Sequence, residues 1–327
     1  MTNKVSIKKE LEKSFSRNTK YITLPFYFEG RPLESSESEK HARWGMTLLS
    51  AGTMRFRWNE TNENRDKTIK EILAEIKKPV CSGNCSSLQG VCDCKLKSVP
   101  IELIHSKTTV ETKNEGDTKG LQADGIVTKN PLLVPTVTVA DCVPIFLYDK
   151  ETKAIGAFHS GWKGTGIIQN ALNLAAAKFG TKMEDVCVAI GPHINDCCYV
   201  VDEQRADYFC KNFSSECVES VNKTELSECA VPDWNTDGKK LFRLSLTKAN
   251  LSVLEKIGVK RENIIVCTDC TCCTTFVSPF STFSDIKENS YVYGSFRRQT
   301  SNLPKGLPAE ELSKRFTVQA AFCGFVS

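Results

Sequence analysis

Only four histidines, His41, His105, His159 and His193, stand among 327 residues that include sixteen cysteines. Three residues of these two types fall near the ends of apolar, β-branched runs: His105, Cys142 and His159. A sheet can aim side chains placed there at one point. Two imidazoles and one thiolate form a three-ligand set for Zn²⁺, with copper as the alternative ion. A fourth position left to water would make such a site catalytic. The 36 and 16 residues that separate the three match no compact local motif. The same residues therefore also fit a small buried thiol with two unrelated hydrogen-bonding imidazoles. They also fit a cysteine hydrolase or deamidase in which Cys142 is the nucleophile and His159 its base, but such a dyad does not need His105, whereas a zinc site does, which favours metal.

Cysteines crowd in two further places. Cys81, Cys85, Cys92 and Cys94 are spaced C-x3-C-x6-C-x-C among small and turn residues at about 79–97. That insertion lacks a core of its own, so its thiols are either unligated or tied by a second, structural Zn²⁺. Cys267, Cys270, Cys272 and Cys273 are also crowded, but no metal is assigned to them. A blue-copper and multicopper oxidase would need more imidazole than four histidines supply.

The remaining composition narrows the class. With 43 Lys+Arg against 39 Asp+Glu the formal charge is +4, which demands no nucleic acid partner. Hydrophobic residues make up 40% and charged residues 25%, the proportions of a globular chain rather than a disordered or fibrous one. No secretory signal or run of about 18 apolar residues is present, so a cytoplasmic protein that does not span a membrane, with reduced cysteines, is expected.

The positioning elements follow from periodicity. NRDKTIKEILAEIKK puts Ile69, Ile72, Leu73 and Ile76 on one helical face, with Asn64 as its N-cap. DGIVT, LLVPTVTVADCVPIFLYD and KAIGAFHSGW read as three strands, followed by a helix over 164–179 that stops before Gly180. VCVAIGP and NIIVCT read as strands, LSLTKANLSVLEKIGV as an amphipathic helix, YVYGSFRRQ as a strand, and the end of the chain as a short helix with an apolar tail. Residues 1–40 form an N-terminal extension, and 41–327 form one α/β or α+β domain with Cys-rich insertions.

ADGIVT at 123–128, VADCVPIFLYD at 139–149, AFHSGWKGTG at 157–166 and AIGPHI at 189–194 together resemble the YfiH family, the laccase-domain proteins that include eukaryotic purine nucleoside enzymes. Weaker likenesses extend from about residue 60 to residue 300, through NRDKTIKEIL, LIHSKTTV, Tyr199 to Asp202, NIIVCT and YGSFRRQ. The resemblance implies a single-domain αββα sandwich of the YfiH and cytotoxic-necrotizing-factor-like kind. It makes His105, Cys142 and His159 the metal ligands. It also implies phosphorolysis of adenosine, inosine and methylthioadenosine, with purine nucleosides and inorganic phosphate as partners, and adenosine deamination.

For deamination an activated water attacks C6 of adenine, and Asp141 is the candidate acid, its alternative being a strand-end cap. For phosphorolysis, cations must hold phosphate as positive charge develops on the ribose. Arg65 and Arg297 are the candidates, with Lys163 weaker and Arg298 balanced against a surface role. Trp162 either stacks a purine or packs on its sheet, and His193 in GPHIND reads as structural. The chain departs from the family pattern at Val200, where Glu is expected, at Gln299, where Asp is expected, in FRLSL, and in lacking an early Arg-Gly-Gly-Val-Ser segment. These departures leave room for a nucleoside-binding protein without turnover.

Overall fold

Along the strand Val143–Asp149, Ile145 and Leu147 point to one side and Phe146 and Tyr148 to the other, as the two-residue repeat of a strand dictates. All four side chains are fully buried, so both faces of their sheet must be covered. The computed structural model, which describes residues 1–14, 19–36, 38–76, 95–227, 230, 236–276, 287–304 and 306–325, shows what covers them. The strand lies at the centre of a seven-stranded mixed sheet, in the order Asn3–Val5, Ile264–Cys267, Val186–Ile190, Val143–Asp149, Ile155–Ser160, Gly125–Thr128 and Thr109–Glu111.

Ile145 and Leu147, with Val188 and Ile190, pack under the helices Ile167–Phe179 and Leu246–Lys256. Phe146 and Tyr148 pack against a second sheet of five strands, Tyr21–Pro25, Arg43–Thr47, Gln319–Gly324, Leu133–Val139 and Lys97–Pro100. Trp44 stacks on Phe146 between the two sheets with centroids 5.4 Å apart. Ile69 and Ile72 of the helix Glu63–Glu75 cover the outer face of this second sheet. The layers run helix, sheet, sheet, helix, which is the αββα sandwich the resemblance implied.

Several elements differ from the sequence reading. The run LLVPTVTVADCVPIFLYD is two strands, because Leu133–Val139 belongs to the smaller sheet and Val143–Asp149 to the larger one. The chain crosses between sheets at Ala140, Asp141 and Cys142. Residues 1–40 are woven into the fold: Asn3–Val5 pairs in parallel with Ile264–Cys267, and Tyr21–Pro25 with Arg43–Thr47. Asn62, not Asn64, caps the helix Glu63–Glu75, its side chain accepting from the Arg65 amide.

The helix after GTG begins at Ile167 instead of residue 164, because Gly166 takes a left-handed φ of 93° and ends the preceding turn. YVYGSFRRQ is not a strand: Ser295 caps a short helix, Phe296–Thr300. The apolar tail is a central strand, Gln319–Gly324. Cys81, Cys85, Cys92 and Cys94 lie outside the described residues.

Candidate active site

The crossing between sheets puts Cys142 at the mouth of the sandwich. His159 reaches the same place from the end of the strand Ile155–Ser160, where it pairs opposite Pro144. His105 arrives from the loop between Lys97–Pro100 and Thr109–Glu111, with a left-handed φ of 57° that few side chains adopt. One ligand atom from each of the three lies within 4.8 Å of the others, and the imidazole centroids are 4.8 Å apart at 84°.

Asp124 organises this cluster, and sequence reading missed it. Its fully buried carboxylate accepts from His159 Nδ1 at 2.8 Å, from the backbone N–H groups of His105 at 3.0 Å and Ser106 at 2.6 Å, and from Ser106 Oγ at 2.7 Å. Burial pushes the Asp124 pKa up, but the hydrogen bonds from His159 and Ser106 outweigh it and hold the group ionised. A carboxylate only accepts, so His159 carries its proton on Nδ1 and turns Nε2 toward Cys142. The same acceptor stabilises the left-handed loop that presents His105. The available signal was an acidic residue, Asp124, set between Ala123 and the buried strand Gly125–Thr128.

Burial also pushes the Cys142 thiol up, yet the neighbouring His159 imidazolium and hydrogen bonds from both imidazoles bring it down to about 6. His159 is lowered by burial but raised further by the Cys142 sulfur and by Asp124, to about 9. Each of the two thus favours the charged form of the other.

The three donors together could hold a metal ion. Gly161 keeps the space above them open. A Cβ added there would lie 3.3 Å from Cys142 Sγ, 3.4 Å from His105 Cδ2 and 3.5 Å from His159 Cε1.

The cluster opens into a cavity of about 840 Å³, a size that takes a small organic ligand. Trp162, Tyr199, Val200, Arg205 and Arg297 line it together with the three donors. Arg205, another residue that sequence reading missed, sits in the first turn of the helix Glu203–Asn212 because Asp202 caps that helix. Its guanidinium lies 4.5 Å over the Trp162 ring and reaches Tyr199 Oη at 3.4 Å. Lys163 Nζ lies 5.3 Å from the same ring. Arg297 Nη2 donates to the Val200 carbonyl at 3.5 Å, while its Nη1 is buried without a hydrogen-bond partner among the described residues.

Other candidates take different places. Asp141 accepts from Thr271 Oγ1 at 2.7 Å and from the Arg297 backbone N–H at 2.6 Å, so it fastens the cavity wall. Burial raises its pKa. Arg65 is not among the residues lining the cavity. It stacks 4.4 Å over Phe56 and pairs with Asp66, because the helix face it occupies lies behind that ring.

Arg298 is structural: it donates to the carbonyls of Thr271, Cys272 and Tyr293 and pairs with Glu288. His193 is buried between the Gly191 carbonyl at 2.8 Å and Thr247 Oγ1 at 2.9 Å. Gln299 uses Oε1 to accept from the amides of Ser295 and Thr317, tying the short helix to the final strand's approach.

Residues 78–285, more than half of the chain, match the family described as multi-copper polyphenol oxidoreductase laccase. The chain belongs to this family. Curated relatives of this laccase-family protein include purine nucleoside phosphorylase LACC1 of Mus musculus, 32% identical over 149 residues, 45% of this chain and 32% of that protein. Purine nucleoside phosphorylase YlmD of Geobacillus stearothermophilus is 32% identical over 152 residues, 46% and 51% of the two chains. Adenosine deaminase RL5, from an unknown prokaryotic organism, is 31% identical over 158 residues, 47% and 55%. The matches thus cover from about a third to about half of these relatives.

Among solved structures, the Bacillus licheniformis hypothetical protein YfiH superposes with a TM-score of 0.62 at 20% identity, over 86% of this chain and 92% of that one. YlmD of Geobacillus stearothermophilus gives 0.60 at 19%, over 92% and 99%. These two likenesses carry the fold. The family range contains His105, Cys142 and His159, while Arg65 and Arg297 fall outside it. Among the described residues no helix is long and apolar enough to cross a membrane.

Proposed function

We propose that this laccase-family protein is a metal-dependent purine nucleoside enzyme. It cleaves adenosine, inosine and methylthioadenosine with phosphate to the free base and the (methylthio)ribose 1-phosphate, and it deaminates adenosine to inosine. The observation that carries the reading is the sharing of one cavity by the His105, Cys142 and His159 donors and by the buried, unpartnered Nη1 of Arg297. A guanidinium with an unused donor is matched by an oxyanion such as phosphate.

His105, Cys142 and His159 would hold the ion, which when bound supplies Lewis acidity toward an oxygen nucleophile. Asp124 keeps Nε2 of His159 turned to the site. Arg297, assisted by Arg205, grips phosphate and positions it for in-line attack on ribose C1′. Val200, where the family pattern has Glu, brings no carboxylate to neutralise Arg297, which donates to its backbone carbonyl. Trp162 and Tyr199 supply the flat apolar wall against which a purine packs. Asp141, with both oxygens engaged, is assigned the positioning of Arg297 in place of the proton transfer expected from sequence.

The decisive experiment is chromatography of products from zinc-loaded protein incubated with adenosine, with and without phosphate. Adenine formed only with phosphate, and inosine formed in both arms, are the expected results. Absence of both products sinks the reading. The hydrogen-bonded series Asp124, His159, Cys142 also favours a second reading, a cysteine hydrolase or deamidase. Hydrolytic activity that survives metal removal but not thiol alkylation would support that alternative.

A further inference from the structure

We infer that Cys197, Cys198, Cys270 and Cys273 form a second metal site, an all-thiolate zinc centre separate from the cavity donors. In the sequence these residues are a Cys-Cys pair after GPHIND and a C-x2-C after NIIVCTD, about 70 residues apart and not recognisable as one motif. The fold joins them. The strands Val186–Ile190 and Ile264–Cys267 are parallel neighbours, so the loops that leave their ends emerge side by side, with His193 bridged to Cys270.

All four Sγ atoms lie within 4.8 Å of one another. Cys197 Sγ is 3.7 Å from Cys198 Sγ and 3.7 Å from Cys273 Sγ. A disulfide bond is about 2.05 Å long, so these are not bonded sulfurs. Tetrahedral coordination with metal–sulfur bonds of about 2.3 Å sets the sulfurs about 3.8 Å apart, close to the two spacings that Cys197 makes. Four sulfurs this close surround a single ion and have no room for a multi-iron cluster.

The surroundings match a thiolate centre. The Asn195 backbone N–H donates to Cys270 Sγ at 3.4 Å, the kind of outer hydrogen bond that steadies a ligating sulfur. Cys198 and Cys270 are buried, while Cys197 and Cys273 are exposed, which gives the ion a path of entry. On binding, four thiols release four protons and donate four sulfur electron pairs to Zn²⁺, with no change of oxidation state. Four protein ligands leave no open position, so the centre is structural.

Its place explains what it would hold. Cys198 immediately precedes Tyr199 and Val200 of the cavity wall, and Thr271, between Cys270 and Cys273, bonds to Asp141. The ion would pin these two loops together beneath Arg297.

The test uses the 327-residue chain prepared under reducing conditions and carrying Cys142→Ala, which removes the proposed cavity site. We expect it to retain one zinc per chain, to keep it when Cys81→Ser and Cys85→Ser are added, and to lose it when Cys197→Ser and Cys273→Ser are added. Cobalt exchanged into the site should show intense thiolate charge-transfer absorption that disappears with the last pair. X-ray absorption of the zinc-bound Cys142→Ala protein needs no further variant and should give a sulfur-only shell at about 2.3 Å. Any one of three results overturns the inference: zinc that survives Cys197→Ser/Cys273→Ser, a shell containing nitrogen, or a disulfide involving Cys197 in the reduced preparation.

Discussion

The carboxylate of Asp124 accepts from His159 Nδ1 at 2.8 Å while it also accepts from the backbone of His105, so one buried anion sets two of the three cavity donors. Replacing it with Asn keeps the size but permits the amide to offer a donor to Nδ1, which frees the wrong ring nitrogen. Asp124→Asn should weaken zinc affinity about 10–100-fold. Competition with a chromophoric chelator measures this, and unchanged affinity would remove Asp124 from the site.

Two glycines in HSGWKG should respond differently to alanine. Gly161→Ala puts a methyl group over the three donors and should cut turnover by roughly tenfold or more with little change in Tm. Gly164→Ala drives a Cβ to 2.7 Å from the Ser106 carbonyl, a backbone atom that cannot step aside, and should cost about 1–3 kcal/mol of stability. Thermal melts and steady-state rates on both proteins test the contrast.

Arg297→Ala should raise the KM for phosphate about tenfold or more and leave deamination far less affected, because only phosphorolysis needs the anion held. Arg65→Ala should leave that KM unchanged and cost about 0.5–1 kcal/mol of stability from its stacking on Phe56. Equal losses in both reactions for Arg297→Ala would contradict its assignment.

Glu102, the partner of the cavity residue Arg57, gives a pH signature. The Trp58 backbone N–H, the Gln122 side chain and Arg57 all favour its ionised form, so its folded pKa lies below the usual carboxylate value. A depressed carboxylate pKa contributes stability above the unfolded-state value, about 4.3, and that contribution is lost as pH falls through the folded pKa. Wild type should therefore lose more Tm than Glu102→Gln between about pH 5 and pH 3. Parallel acid limbs for the two proteins would contradict this.

The sequence made the sandwich legible where one face or one period dominated. The unbroken buried run VPIFLYD and the helical stripe of IIQNALNLAAAKF needed no tertiary information. The break at Asp141 and Cys142 was hidden, because Val139, Ala140, Cys142 and Val143 continue an apolar run and only the existence of two sheets divides it. YVYGSFRRQ misled for the opposite reason. Its aromatic and β-branched residues favour a strand, but Ser295 caps a helix there and Gln299 accepts the Ser295 amide in return. His105, Cys142 and His159 could be chosen by residue type. Asp124, Arg205 and the meeting of Cys197 with Cys273 could not, since each depends on which strands and caps become neighbours.

The strand Gln319–Gly324 sits between Arg43–Thr47 and Leu133–Val139, so the middle of the smaller sheet is supplied by residues synthesised long after both of its neighbours. Until it arrives, those two strands present unpaired edges to solvent. The cavity wall at Arg297 and Phe316 leads directly into it. During translation the larger sheet can begin to condense early, whereas closure of the smaller sheet and assembly of the cavity form one late step dominated by contacts distant in sequence.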